Sequence, residues 1–335
     1  MSRIAIMGSG AWGTAIAISL ARRGGHQVAL WSFDADVAEA MRTRRENTTF
    51  LPGFNLPNAI QVTEHAAEAL QDAEIVVSVT PSQFIRPSFE AFVPHLNSGQ
   101  LLVSATKGIE DRTCLRMSEV IEQVLGRHGL VLRCGVLSGP SFAQEVAAGA
   151  PTAITVASAD PSLAARVQRD FSSNSLRIYT NDDIVGVELG GSIKNVIAIA
   201  AGIVTGLNLG YNSNAALITR GIAEMTRLAI ACGGRRETLS GLSGLGDLVL
   251  TCTGSLSRNR TVGQELGKGR GLEEILAGLG GQVAEGVRTT SAALGLARRH
   301  GVEMPIAEQM EAILMHGKSP QRAIEELMVR PGRDE

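Results

Sequence analysis

The chain's 335 residues exceed one ordinary domain and suit two, and with 44% hydrophobic against 19% charged they can bury a sizeable core. Lys and Arg number 31 against 33 Asp and Glu, a net charge of −2, so no global field draws nucleic acid or an anionic membrane, and any bound anion must meet a local site. Aromatics at 4% leave little for stacking on single strands, and high hydrophobicity with balanced charge excludes disorder.

In chain order, Ile4–Met7 reads as a strand, with no basic segment and long apolar stretch leading into it. Gly8-Ser9-Gly10-Ala11-Trp12-Gly13 follows at once and opens a helix from about Thr14 to Arg23. In that context G-x-G-x-x-G is a dinucleotide signature. Gly8 permits the tight turn, Gly10 lets backbone approach a pyrophosphate, and Gly13 lets helix pack on strand, with the diphosphate on the helix N-terminus. Gln27–Trp31 is the second strand and Val37–Arg45 the second helix. A site specific for NAD puts an acid at the end of this strand for the ribose 2′-hydroxyl. Here Ser32 and Phe33 end it and Asp34 is the nearest acid, while Arg42, Arg44 and Arg45 read either as ligands of a 2′-phosphate or as a solvated helix face. NAD and NADP both stay open at this point.

A Pro- and Asn-containing loop over Asn47–Asn58 precedes strands at Ile60–Thr63, Ile75–Val79, Leu101–Ala105, Val136–Leu137, Ala153–Val156 and Leu176–Tyr179, with a helix starting near Pro161. Most of these runs are apolar without alternation, as in parallel strands buried on both faces, and strand–helix alternation predicts a doubly wound α/β domain. Thr106-Lys107-Gly108 falls at the carboxyl edge of such a sheet, where a lysine neutralises a phosphate or orients a carbonyl, or is a plain loop lysine. Gly139-Pro140-Ser141-Phe142-Ala143 offers N–H groups and a hydroxyl to an anion, or is a plain turn.

From Asp182, a good helix N-cap, the texture becomes helical. Helices are predicted through Leu207 and over Asn214–Cys232, Leu272–Leu279, Thr289–His300, Ile306–Met315 and Pro320–Val329. No strand is expected after Tyr179, so a dinucleotide-binding domain over 1–180 and an all-α domain over 181–335 are expected. The longest apolar tract, Val196 to Leu207, is interrupted by Gly202, Thr205 and Gly206 and falls short of the ~18 residues that span a bilayer. Lys194 stands in a helix otherwise small or apolar nearly all round. Such a buried ammonium gives up its proton more readily than a solvated one. Asn195 beside it suits a substrate oxygen, and Glu188 lies on nearly the same face, either as a site group or as a structural ion-pair partner. Asp247, in Gly244-Leu245-Gly246-Asp247, reads as an N-cap or, facing a cleft, as a group that tunes a lysine or binds a substrate hydroxyl. Ser257-Arg258-Asn259-Arg260 concentrates donors suited to phosphate, or is a solvated loop. Cys114, Cys134, Cys232 and Cys252 form no C-x-x-C and read as thiols of a reducing compartment, and the six histidines show no metal-ligand spacing.

With these stretches in hand, the chain resembles the NAD(P)-dependent glycerol-3-phosphate dehydrogenases, most closely the bacterial-type biosynthetic branch. Gly191-Ser192-Ile193-Lys194-Asn195-Val196-Ile197-Ala198 is similar to the family's G-x-x-K-N-V-x-A signature. The Gly139–Ala143, Gly244–Leu248 and Ser257–Asn259 stretches and Gln282-Val283-Ala284-Glu285-Gly286 match in order. The resemblance implies an N-terminal Rossmann-like domain, an all-α C-terminal domain, and reversible reduction of dihydroxyacetone phosphate to sn-glycerol 3-phosphate for glycerophospholipid synthesis, in a cytoplasmic homodimer. It implies Lys194 as proton donor and acceptor, with Lys107 and Asp247 completing the catalytic cluster. Gly139, Ser141, Ser257, Arg258 and Asn259 join those three on the substrate. Gly8, Gly10, Ala11, Trp12, Gly13, Phe33, Lys107, Ala143, Arg258, Val283 and Glu285 line NAD(P)H. Phe33 stands where relatives commonly carry a basic side chain or histidine, and Ser192 where they carry Ala or Thr. The rivals are a β-hydroxyacid dehydrogenase, a sugar-nucleotide dehydrogenase using a cysteine, and a non-catalytic NAD(P)H sensor. The first pairs its lysine with an asparagine one turn later, whereas Lys194 and Asn195 are adjacent.

Overall fold

The computed structural model describes residues 2–279 and 283–331. The chain forms two compact units: Met1–Lys107 with Leu115–Glu188, and Gly108–Cys114 with Leu189–Glu335. The short segment 108–114 thus leaves the sheet unit for the helical one.

The first unit is built on ten strands: β1 (Ser2–Met7), β2 (His26–Trp31), β3 (Glu46–Asn47), β4 (Leu51–Asn55), β5 (Ile60–Thr63), β6 (Ile75–Ser78), β7 (Leu101–Ser104), β8 (Arg133–Ser138), β9 (Thr152–Ala157) and β10 (Leu176–Asn181). Eight of them form one sheet in the order β10-β9-β8-β7-β6-β1-β2-β5. Around it lie α1 (Ala11–Arg23), α2 (Ala35–Arg44), α3 (Ala66–Leu70), α4 (Ile85–Phe92), α5 (Met117–Arg127), α6 (Ala143–Ala148) and α7 (Pro161–Phe171). Two apolar clusters flank the sheet. One holds Ile4, Ile6, Leu30 and Val77, the other Ala5, Met7, Ala29 and Val76. Successive residues of one strand thus feed opposite cores, which is why the strands show no polar alternation.

Three expectations are corrected here. The stretch over Asn47–Asn58 is not all loop, because the two-residue β3 and the five-residue β4 pair as an antiparallel ribbon. The sheet is not wholly parallel: β8 and β9 run antiparallel, the chain returning through the short α6. Helices α3, α4 and α5 fill stretches for which no helix was expected; α5 carries Val120, Ile121, Val124 and Leu125 into the core at helical spacing.

The second unit comprises α8 (Ile184–Gly206, which starts in the first unit), α9 (Gly210–Ala231), α10 (Arg236–Leu239), a π-helical turn over Leu242–Gly246, α11 (Asp247–Thr253), α12 (Arg258–Gly267), α13 (Leu272–Ala277), α14 (Glu285–Arg299), α15 (Pro305–His316) and α16 (Pro320–Met328). Among the described residues no strand follows β10. The carboxylate accepting from the Gly186 N–H at the start of α8 is that of Asp183, one residue past the expected cap. At 23 residues α8 is longer than the apolar tract suggested and passes as a membrane span by length and composition, yet 89% of its most apolar stretch is buried within the protein. It is a core helix whose glycines are packing positions rather than breaks.

Candidate active site

The glycine loop of the first unit fits a dinucleotide. Gly8 takes φ 135°, and a Cβ there would stand 2.9 Å from the Val79 carbonyl carbon. At Gly13 a Cβ would stand 1.9 Å from the Gly8 oxygen, so helix and turn touch through backbone, whereas Gly10 faces open space. Gly10 is the N-cap of α1 and brings no side chain to the first-turn N–H groups, so Ala11, Trp12 and Gly13 present a bare helix N-terminus suited to a diphosphate. The Trp12 Nε1 beside it is buried without a partner among the described residues. Phe33, 88% exposed, meets Trp31 edge-on at 6.3 Å.

At the end of β7, Lys107 Nζ donates to the Gly139 carbonyl at 3.3 Å, and Ser141 Oγ donates to the same oxygen at 3.0 Å. The structure therefore gathers Lys107, Gly139 and Ser141, with Ala143 opening α6 just beyond. Glu188 takes no part in any such cluster. Its carboxylate accepts from Arg116 at 2.6 Å and from the Ser118 N–H and Oγ at 2.8 and 2.6 Å, tying the start of α8 to α5. Burial pushes its pKa up and the Arg116 guanidinium opposes. It is a structural ion-pair partner.

In the second unit, Lys194 is 6% exposed, and its Nζ donates to Asp247 Oδ1 at 2.5 Å and to Thr251 Oγ1 at 2.7 Å. Asp247, 1% exposed, is the first residue of α11 after the N-cap Gly246, so its carboxylate serves the lysine rather than the helix end. Burial of the ammonium is thereby matched by a carboxylate, a compensation absent from the reading of α8 alone. Thr251 is the member that sequence reasoning gave no role. Its signal is the i,i+4 spacing from Asp247, which puts both on one face of α11. Its hydroxyl also reaches the Asp247 carbonyl at 2.6 Å. Two residues before Lys194, the Ser192 hydroxyl accepts from the Gly108 N–H at 2.9 Å and donates to the Gly108 carbonyl at 3.1 Å. Its hydroxyl thus clamps the residue that follows Lys107.

Ser257 caps α12 by accepting from the Arg260 N–H. The Asn259 carboxamide faces inward, donating to Asn195 Oδ1 at 3.0 Å and accepting from the Gly286 N–H at 2.9 Å. One side chain thus joins α8, α12 and α14. Arg258 reaches solvent, yet the protein around it draws its guanidinium pKa down while the Glu285 carboxylate opposes. Val283 precedes α14 and Glu285 opens it, whereas Gln282 of the same motif lies outside the described residues. Cys252 is buried and its thiol is pushed up to about 12 by that burial, against the nearby Lys194, the setting of a core thiol rather than of an activated one.

Two family models match the chain: NAD-dependent glycerol-3-phosphate dehydrogenase N-terminus over residues 3–164, and NAD-dependent glycerol-3-phosphate dehydrogenase C-terminus over residues 183–325. The chain is 65% identical to the glycerol-3-phosphate dehydrogenase (NAD(P)+) of Acidobacterium capsulatum, covering 100% of each, and 60% identical to that of Koribacter versatilis, covering 100% of this chain and 99% of the relative. Among solved structures, glycerol-3-phosphate dehydrogenase from Coxiella burnetii superimposes with a TM-score of 0.94 at 40% identity, over 98% of this chain and 99% of that one.

Proposed function

The chain belongs to the NAD-dependent glycerol-3-phosphate dehydrogenase family, and we propose how its own residues carry that family's reaction. The reaction is reduction of dihydroxyacetone phosphate to sn-glycerol 3-phosphate, an oxidoreductase step on a CH–OH group that serves lipid biosynthesis. Bound NAD(P)H supplies the hydride. Lys194 protonates the C2 oxygen as negative charge builds on it, and accepts the proton in the reverse direction. Asp247 keeps the ammonium charged until then, and Thr251 fixes where Nζ points. Lys107 is the second cation on the substrate, with Gly139 and Ser141 beside it. Asn195 spends its Oδ1 on Asn259 and turns its Nδ2 to a substrate oxygen.

The phosphate end belongs to Ser257, Arg258 and Asn259. Since the Ser257 hydroxyl caps α12 and the Asn259 carboxamide is spent inside the fold, the backbone N–H groups opening α12 and the Arg258 guanidinium do the holding. Gly8, Gly10, Ala11, Trp12, Gly13, Phe33, Lys107, Ala143, Arg258, Val283 and Glu285 line the cofactor. We further propose a homodimer, supported by the resemblance alone and tested by sedimentation, and a cytoplasmic setting, supported by four cysteines without a disulfide among the described residues.

The observation that carries the reading is the buried Lys194–Asp247–Thr251 cluster on helices otherwise apolar around it. It is tested by following NADH and NADPH oxidation with dihydroxyacetone phosphate beside unphosphorylated dihydroxyacetone. Turnover is expected only with the phosphorylated ketone. Arg258→Ala raises KM for that substrate far more than it lowers kcat, and an unchanged KM removes Arg258 from the phosphate.

A further inference from the structure

We infer that this chain's cofactor site selects NAD over NADP, with Asp34 as the selecting residue. The inference rests on the cofactor placement proposed above. In a Rossmann-like fold the ribose 2′ position meets the chain at the end of the second strand, about 20 residues past the glycine loop. Here that place is held by Ser32-Phe33-Asp34.

Ser32 is buried. Its hydroxyl accepts from Ser9 Oγ, inside the glycine loop, at 2.8 Å and donates to the Asp34 carbonyl at 3.0 Å, so the backbone of Asp34 is fixed relative to that loop. Asp34 Oδ1 accepts from the Asp36 and Val37 N–H groups at 2.9 and 3.2 Å and caps α2. Oδ2 takes no such bond among the described residues, and the side chain is exposed. One oxygen of the carboxylate therefore holds the group still while the other faces outward, an acceptor for a ribose hydroxyl.

No cation faces it. Arg42 is spent on Glu39, at 2.8 and 3.0 Å, and on Glu64. Arg45 turns away to donate to the Pro57 and Ile60 carbonyls at 2.5 and 3.1 Å. At 1.5 Å rise per residue, Arg42 and Arg44 also lie about 10 and 13 Å along α2 from its start. Phe33 brings no charge, and Asp36 adds a second carboxylate to the first turn of α2. A 2′-phosphate, carrying about two negative charges, would meet two carboxylates and a phenyl ring. A 2′-hydroxyl would meet one anchored acceptor.

The test is calorimetric titration of the full-length protein with NADH and with NADPH, alongside turnover with each. The wild type binds NADH at least tenfold more tightly. Asp34→Ser keeps a good helix cap but loses the charge; it weakens NADH, tightens NADPH and shrinks the ratio at least tenfold, while Phe33→Arg tightens NADPH. Melting curves confirm that each variant is folded. Equal or tighter NADPH binding by the wild type, or an unmoved ratio in Asp34→Ser, overturns the inference and leaves the cofactor site intact. Binding of neither nucleotide overturns the cofactor placement itself and this inference with it.

Discussion

Lys194 and Asp247 tie the stability of the fold to the proposed chemistry. Taking two charges out of water is costly, and the pair survives because each compensates the other at 2.5 Å with Thr251 satisfying a further ammonium proton. Removing either partner strands the other, which costs about 3–5 kcal/mol. Lys194→Met is therefore expected to lose stability and also to lower kcat by about 10²–10⁴-fold, the share a positioned proton donor supplies. A single variant confounds the two effects, but a pair separates them. Lys194→Met with Asp247→Leu removes both charges, so chemical denaturation should find the double variant more stable than either single one, while kcat stays at the Lys194→Met level. Near-wild-type turnover in Lys194→Met would sink the proton-transfer role. Cys252, one residue past Thr251, is buried, and that burial pushes its thiol up to about 12.

At the scale of elements, the placement of Arg258 depends on how closely α12 lies on α8. Gly202 and Gly206 share one face of α8, and Gly263 and Gly267 one face of α12, each pair four residues apart. A Cβ on Gly202 would stand 2.0 Å from the Arg260 carbonyl oxygen, and one on Gly263 1.9 Å from that of Ile199. The two helices touch backbone to backbone. Lys194 lies about two turns before Gly202, and Arg258 opens α12 ahead of Gly263, so the registry of this contact sets Lys194 relative to Arg258, the proposed proton donor relative to the proposed phosphate ligand. Gly202→Ala is expected to cost at least about 1–3 kcal/mol as an overpacking change and to raise KM for dihydroxyacetone phosphate as α12 shifts. Gly126 in α5 makes the contrast, since a Cβ there meets nothing within 4 Å. Gly126→Ala should gain roughly 0.5–1 kcal/mol. Thermal melts of the two variants decide it, and a Gly202→Ala protein as stable as the wild type would dissolve the argument.

For the whole molecule, what the residues disclose depends on whether a pattern is local. Apolar runs without alternation in β1, β2 and β6 announce a sheet covered on both faces, and the loop at Gly8–Gly13 announces its ligand, because both are written within a dozen residues. The antiparallel turn of β9 is not legible, since its last four residues are buried in an unbroken run like those of the parallel strands, and β3, at two residues, is too short to carry a pattern. Asp247 reads in sequence as either a helix cap or a partner for a lysine, and only the fold, bringing it across 53 positions to Lys194, decides between them. Glu224 is hidden in the same way, a carboxylate on α9 that is 2% exposed and accepts from the Ile306 and Ala307 N–H groups opening α15, at 2.8 and 3.4 Å. Burial raises its pKa to about 7, the two N–H groups and Arg227 opposing and Glu308 adding to the rise. An acid whose folded value lies above its unfolded one binds more protons when folded, so its contribution falls as pH rises from about 4.5 through about 7 and is flat beyond. The loss across that window is on the order of 3 kcal/mol. Glu224→Gln does not titrate and keeps one carbonyl oxygen, which serves the nearer Ile306 N–H. Urea denaturation at pH 5 and pH 8, read on the transition of the helical unit, should therefore show the wild type losing stability relative to Glu224→Gln by that amount. The carboxylates held low by arginine, such as Asp170 and Glu74, titrate below this window and cancel in the difference. A wild-type-to-variant gap that did not change between the two pH values would mean that Glu224 is already ionised in its helix-capping position at pH 5.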